Sequence, residues 1–465
     1  MRIVIIQSAH LRSRTVAAVA ALAAIFLIIY LPDLGHGFLK DDFGWVRRAR
    51  PDGQGFALAF QSDIGFYRPL VMATFAIDHA FWQLNPFGYG MTNLALCCLD
   101  ATLLYALARS LRLPAAAAIV AAAAWAFNFH GINMGLLWLS GRTALLVVLF
   151  ALATALAVLR QRHLLAGAFC LCALLSKEEA ALIPALWTAF LFLDGRLGES
   201  GRQHPVDFRS LAARTWPLWA ALAVYVAVRA QSGAFGPLSA PPEYQLFTST
   251  ALLARNVTEY ADRALTLSAA LAIVLLFVAG RGAGAFTDVE RRTLLLAGLW
   301  IASMFALTIS LPVRSSLYAI LPSVGGALVA GVVASCALRA RPQRFARACA
   351  ALIVIAALLV PVYRKRNERW VEAAGLSAKV VDVVRDAADR YPAGGRIVLV
   401  DDPAATPNFD STFLTAFPEV LILEAGRQWS GEIASPDGRT DSEGAVVVVL
   451  EGGEPIVRVW PDGGR

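Results

Sequence analysis

Charge is scarce in this chain. Only 16% of its 465 residues are Asp, Glu, Lys or Arg, against 58% that are hydrophobic, and a soluble domain of this length rarely reaches such a balance. Cysteine offers no scaffold either. Cys97, Cys98, Cys170, Cys172, Cys336 and Cys349 all lie in or beside apolar runs, so no disulfide framework is implied. Cys170 and Cys172 are one residue apart in a helical run and point to different faces, which excludes a metal motif there. Tandem repeats are absent. The net charge of +7 is carried by short basic loops, which excludes nothing and suggests no nucleic acid partner.

What the chain has is a succession of apolar runs, each long enough to cross a hydrocarbon core of about 30 Å as a helix. They begin near Thr15, Thr92, Pro114, Leu139, His163, Ala180, Trp216, Leu267, Thr293, Leu317 and Ala348. The segment from Tyr67 to Leu84 is a candidate for one more span or, because it carries Arg68, Asp78 and His79, for a stretch lying along the interface. Basic residues fall in every second connection: Arg12 and Arg14, Arg109 and Arg112, Arg160 and Arg162, Arg196 to Arg214, Arg281 to Arg292, and Arg339 to Arg347. Such residues are retained on the cytoplasmic side, so the amino terminus is expected inside and about 11 crossings place the carboxyl-terminal tail outside. Leu31-Pro32-Asp33 follows the first span in place of a small-residue cleavage site, so that span is expected to stay.

Beyond Arg366 the runs shorten. Residues 396–401, 419–424, 445–450 and 456–460 read as strands between Gly, Pro and Asp turns, and Trp370 to Tyr391 has helical spacing. The expected fold class is an all-α polytopic membrane protein with a small C-terminal extracytoplasmic α/β domain. Its parts are residues 1–366 in the membrane and 367–465 outside it, in what is expected to be a bacterial inner membrane. Asp401, Asp402 and Asp410 read as turn residues, and the outer domain as a cover for the site or a selector of acceptor.

Ionisable groups at a membrane boundary have to be paired, hydrated or functional. Asp41 and Asp42 follow the first span, and adjacent carboxylates at a low-dielectric boundary raise the proton or cation affinity of one of them. One can act as general base while the other holds an acceptor, a basic group or a metal; the alternative reading is a loop start or helix N-cap. Tyr67-Arg68-Pro69 lies on the same face. So do His130, Arg142 at the end of Trp138-Leu-Ser-Gly-Arg142, the crowded turn Lys177-Glu178-Glu179, and Arg314. Carboxylates and cations thus converge on one side of the bilayer, as a reaction on a lipid phosphate requires. These carboxylates are compatible with a divalent cation, although no His/Asp spacing demands one.

Taken in order, Asp41-Asp42, Phe66-Tyr-Arg-Pro-Leu70, Leu84-Asn-Pro-Phe-Gly-Tyr89 with Asn93, Phe127-Asn-Phe-His130, Trp138 to Arg142, Leu175 to Glu178 and Leu317 to Val324 resemble a known family. It is that of the polytopic glycosyltransferases of the GT-C fold, in particular the branch of protein O-mannosyltransferases and transmembrane tetratricopeptide mannosyltransferases. The resemblance implies transfer of a sugar, with inversion, from a polyprenyl-phosphate donor to a glycan, lipid or protein acceptor on the outer side. It makes Asp41 or Asp42 the catalytic base. Arg68, Arg142, Lys177 and Arg314 are then candidates for the donor phosphate, and Tyr67, His130, Glu178 and Glu179 for acceptor or supporting roles. The chain departs from the pattern at Gly131 and Met134-Gly135, in the register of Arg314, and in having no tetratricopeptide repeats. The rival class is a transporter or lipid-linked sugar flippase; the lack of internal duplication speaks against it.

Overall fold

A computed structural model describes residues 2–50, 66–197, 207–234, 249–280, 284–435 and 444–461. Residues 51–65 and 235–248 of the expected outer segments, and Arg281, lie outside the described residues. The apolar runs form helices, the form in which a single segment satisfies its own backbone in lipid. The first are α1 (Arg2–Tyr30), the short α2 (Asp42–Ala49), α3 (Pro69–Trp82), α4 (Pro86–Ser110), α5 (Ala115–Ala126) and α6 (Gly131–Leu137). Then come α7 (Arg142–Leu159), α8 (His163–Leu174), α9 (Ile183–Leu197), α10 (Phe208–Gln231) and α11 (Thr250–Ala279). The helical body closes with α12 (Asp288–Ala306), α13 (Ile320–Ala340), α14 (Pro342–Leu358) and α15 (Val360–Arg390). Proline opens α3, α4 and α14, where its missing N–H is not needed. Thr287 and Glu290 cap α12 reciprocally.

Among the described residues six helices are long and apolar enough to cross a membrane, and up to eight if the bent pairs α5/α6 and α14/α15 each make one span. The chain is a helical integral membrane protein. The expected eleven crossings exceed that number because α8 and α9, with 12 and 15 residues, span only about 18 and 22 Å, and because α12 carries Asp288, Glu290, Arg291 and Arg292 in its first turns. The 65° bend between α5 and α6 has a local cause. The Asn128 side chain accepts from the His130 N–H and donates to the Ala264 carbonyl, drawing backbone bonds away from a continuous helix.

Helix α13 is the centre of the body and is buried along almost its whole length. It packs on α5, α11 and α12, and small residues permit the approach. A Cβ at Gly325 would lie 2.7 Å from the Ala297 carbonyl oxygen of α12.

Helix α15 runs unbroken through the expected boundary at residue 366 and enters the C-terminal domain. There β1 (Gly395–Val400), α16 (Phe409–Phe413), α17 (Phe417–Glu424), β2 (Trp429–Ala434), β3 (Val446–Glu451) and β4 (Glu454–Val459) follow. The sheet order is β2-β1-β3-β4, with β1 parallel to both neighbours and β3–β4 a hairpin. Three of the four expected strands are present; residues 419–424 are instead helical, and the remaining strand is 429–434. A short apolar run does not by itself distinguish a buried strand from a buried helix. Pro418 in the first turn tips it to helix, and Val420, Leu421 and Leu423 then pack inward. This apolar core continues into the helical body. Phe43 and Val46 of α2, Val71 and Phe75 of α3, and Phe413, Phe417 and Leu421 belong to one buried cluster.

Candidate active site

Asp41 and Asp42 stand at the start of α2, with different surroundings. Asp42 is fully buried. Its Oδ1 accepts from the Ser140 N–H at 2.7 Å and the Ser140 hydroxyl at 2.5 Å, and its Oδ2 from the Leu39 N–H at 3.0 Å. Burial pushes this carboxyl up to about 7 against the pull of those donors. Asp41 is exposed and makes no side-chain cap bond to the helix it precedes. Enclosure by surrounding protein raises its carboxyl, opposed by the charges of Arg68, Lys40 and Arg48. One aspartate is therefore bound into the scaffold and the other is presented to solvent between cations.

On the Arg68 side every cation meets a carboxylate. Arg68 grips Glu178 through Nη2 at 2.8 Å and Nε at 3.2 Å, and Arg229 of α10 approaches the same carboxylate at 3.5 Å. Burial, the largest influence, would raise Glu178, but the two arginines hold it below its ordinary range. The Leu70 N–H donates to the Leu175 carbonyl and keeps the two segments adjacent. Lys177 and Glu179 are both buried and pair with each other, with the ammonium 4.6 Å from the centre of the Tyr318 ring. Glu259 of α11 pairs with Arg314 and, at 3.3 Å, with Arg263.

The other side of Asp41 is built differently. Asn367 donates to the Ile29 carbonyl and to Asp33, both at 2.8 Å, and fixes the register of α15 against the end of α1. That register presents Arg366 and Arg369. Arg366 donates to His130 Nδ1 at 3.4 Å and lies over the Phe129 ring at 4.5 Å. Arg369 donates to Asn133 at 3.2 Å. The Lys40 ammonium lies 5.9 and 5.5 Å from the ring centres of Trp138 and Trp370, which stack on one another. Burial lowers Lys40, with Asp41 and Asp42 opposing. Among the described residues Lys40, Arg366 and Arg369 form no ion pair.

The structure thus gathers Asp41, Arg68, Lys177, Glu178 and Glu179, sets Arg314 against Glu259, and puts His130 beside Arg366. Tyr67 is buried, with its ring 6.3 Å from that of Tyr225. Arg142 departs from its expected place in a phosphate cradle. It is wholly enclosed, paired with Asp78 at 2.5 Å and bonded to Asn93 at 2.9 Å and the Tyr89 carbonyl at 3.0 Å. Its planar fork is consumed in joining α3, α4 and α7, because four acceptors surround it, the Thr74 hydroxyl at 3.5 Å being the fourth, and no solvent does. Sequence reading had missed Arg229, Arg263, Arg366 and Arg369. For the last two the signal was present: Arg364, Lys365, Arg366 and Arg369 make a basic run on the side where the alternation of charge expects none. Among the described residues no three His, Cys, Asp or Glu side chains form a metal-binding group.

No protein-family model matches the chain. In structure it is similar to ArnT from Cupriavidus metallidurans, solved bound to undecaprenyl phosphate, with TM-score 0.54 and 14% identity over 94% of this chain and 93% of that one. It is also similar to the Archaeoglobus fulgidus oligosaccharyltransferase tethered to an acceptor peptide, with TM-score 0.52 and 12% identity over 91% of this chain and 64% of that one. In sequence, 130 residues are 32% identical to the Drosophila melanogaster protein O-mannosyl-transferase Tmtc1. That match takes in 25% of this chain and spans only 15% of the length of that relative. The chain has the GT-C fold.

Proposed function

We propose that this protein is an inverting glycosyltransferase that moves a sugar from a polyprenyl-phosphate donor to an acceptor hydroxyl on the extracytoplasmic side of the membrane. The observation that carries the reading is an exposed Asp41 next to Lys40, which forms no ion pair among the described residues and lies within the influence of Arg369. The likeness to a structure holding undecaprenyl phosphate supports the donor class. In the reaction the acceptor oxygen forms a bond to the anomeric carbon while the bond from that carbon to the phosphate oxygen breaks. The acceptor proton passes to Asp41, and the phosphate leaves with the bonding electron pair. Lys40, Arg366 and Arg369 receive the developing charge, since charge not already matched by a protein anion stabilises an incoming phosphate most strongly.

Arg68, Lys177 and Arg314 then have a different part. Bound to Glu178, Glu179 and Glu259, they hold the helix ends together, and of the three Arg68 acts on the charge of Asp41. Asp42 anchors the acidic turn to Ser140. The test is release of polyprenyl phosphate from radiolabelled polyprenyl-phosphate sugars by purified protein in liposomes, with membrane extract as acceptor. Release by the native protein and its loss in a folded Asp41→Asn variant is the expected result. Equal release by both would remove Asp41 from the chemistry, and no release with any donor would send the reading back to transport.

A further inference from the structure

The acidic turn is held in a conformation it would not choose alone. Lys40 has φ of 50°, in the left-handed region that residues other than Gly, Asn and Asp rarely enter. Such a residue persists only where its surroundings over-determine it. Here part of that determination comes from the C-terminal domain. The Lys40 N–H donates to the Thr412 carbonyl at 3.1 Å. Phe43 lies against Phe413, with ring centres 6.1 Å apart. Arg47 is gripped by Glu419, whose second oxygen accepts from Arg47 Nη2 at 3.2 Å.

The contacts come from α16 and α17, and α16 is itself pinned. Buried Asp401, just beyond β1, accepts from the Phe409 N–H at 2.7 Å and the Asp410 N–H at 3.0 Å, the first amides of α16. A continuous mechanical line therefore runs from the end of β1 through α16 to the backbone on which Asp41 and Asp42 sit. The aspartate that the sequence reads as a turn residue stands at its head.

We infer that the C-terminal domain is the positioning element of the acidic turn, with Asp401, Thr412 and Glu419 acting through Lys40 and Arg47 and not by touching substrate. This rests on the glycosyltransferase reading for its catalytic consequence and on nothing but geometry for its structural one. A domain that merely covered the site or chose the acceptor would alter acceptor KM; a domain that sets the base alters turnover.

The experiment uses the full chain in liposomes and compares the native protein, Glu419→Ala, Asp401→Asn and the charge swap Arg47→Glu/Glu419→Arg. Amide exchange over residues 39–49 is measured beside kcat, donor KM and the apparent KM for the membrane-extract acceptor. Both single variants are expected to speed exchange in that segment and lower kcat about tenfold, since a misplacement of the order of 1 Å costs up to about a hundredfold. Donor KM is expected to stay within about twofold, the signature of lost positioning without lost binding. The swap is expected to restore both exchange protection and kcat. Unchanged exchange over 39–49 in both single variants, or a loss confined to KM, overturns the inference. If the native protein releases no polyprenyl phosphate, the glycosyltransferase reading fails while the exchange arm still decides whether the domain holds the turn.

Discussion

The two sides of the acidic turn carry the same kind of charge and treat it in opposite ways. Around Arg68 each cation faces a carboxylate, and the ensemble is a set of closed, partly buried pairs. On the other side Lys40, Arg366 and Arg369 are met by imidazole, amide and aromatic faces, which soften their repulsion without forming ion pairs, while Arg364 and Lys365 beside them pair with Asp33 and Glu368. Charge that is already matched builds structure, and charge left unmatched is available to a ligand. The difference matters because nearness to a span end does not reveal it: Lys177 and Arg369 are both cations close to one.

The comparison can be broken most severely at the group between the two sides. Asp41→Asn should lower sugar transfer by about 10²- to 10⁴-fold, the usual contribution of a general base, with the melting temperature unchanged. A parallel fall in melting temperature would recast Asp41 as structural. Next in size, Lys177→Met strands the buried Glu179 carboxylate and should destabilise the protein by about 3–5 kcal/mol, while Lys177→Met/Glu179→Met should recover most of that loss. Thermal melting in detergent measures both, and failure of the double variant to recover would show that the pair is more than a closed pair.

On the open side the expectation is reversed. Arg366→Gln/Arg369→Gln should weaken donor use by about ten- to a hundredfold, through lost charge-assisted bonds, without lowering the melting temperature. Addition of polyprenyl phosphate should raise the melting temperature of the native protein and not of this variant. A variant that melts early but keeps its donor KM would erase the distinction between the sides.

The smallest effect is one of pH. The folded protein keeps the Asp42 proton up to about pH 7, whereas an exposed aspartate releases it near 3.8. Between those values the folded state binds more proton than the unfolded one, so this group's contribution to stability is fully present below about pH 4 and falls as the pH rises to about 7. Asp42→Asn should be less stable throughout, because one amide oxygen cannot accept all three bonds, and should show a flatter decline across that interval. Melting temperatures at several pH values decide it.

Much of this was legible in the sequence because the signals were local. The apolar runs, the adjacent Asp41 and Asp42, and the crowding of Lys177, Glu178 and Glu179 into one turn need no knowledge of distant neighbours. Arg142 was misplaced for the opposite reason: its fate depends on Asp78, Asn93 and Tyr89, which two other helices bring to it. Arg366 and Arg369 lay at the edge of a segment read as the start of a soluble domain, and only the unbroken α15 puts them beside Asp41's turn. Residues 419–424 were ambiguous because six apolar and acidic residues suit a strand or a helix equally until a sheet has been built beside them.

The contact between Arg47 and Glu419 joins positions 372 apart. During synthesis the acidic turn is made early and must wait for α16 and α17 before its left-handed residue finds the carbonyl that holds it. At about 5–20 residues per second that interval lasts on the order of twenty seconds to over a minute. Through that time the nascent chain already has membrane helices but not the contacts that hold the turn, so under the proposed function lipid-linked sugar meeting a half-made protein would find no set base. Under that proposal the long-range contact would make activity a report that the chain has finished folding.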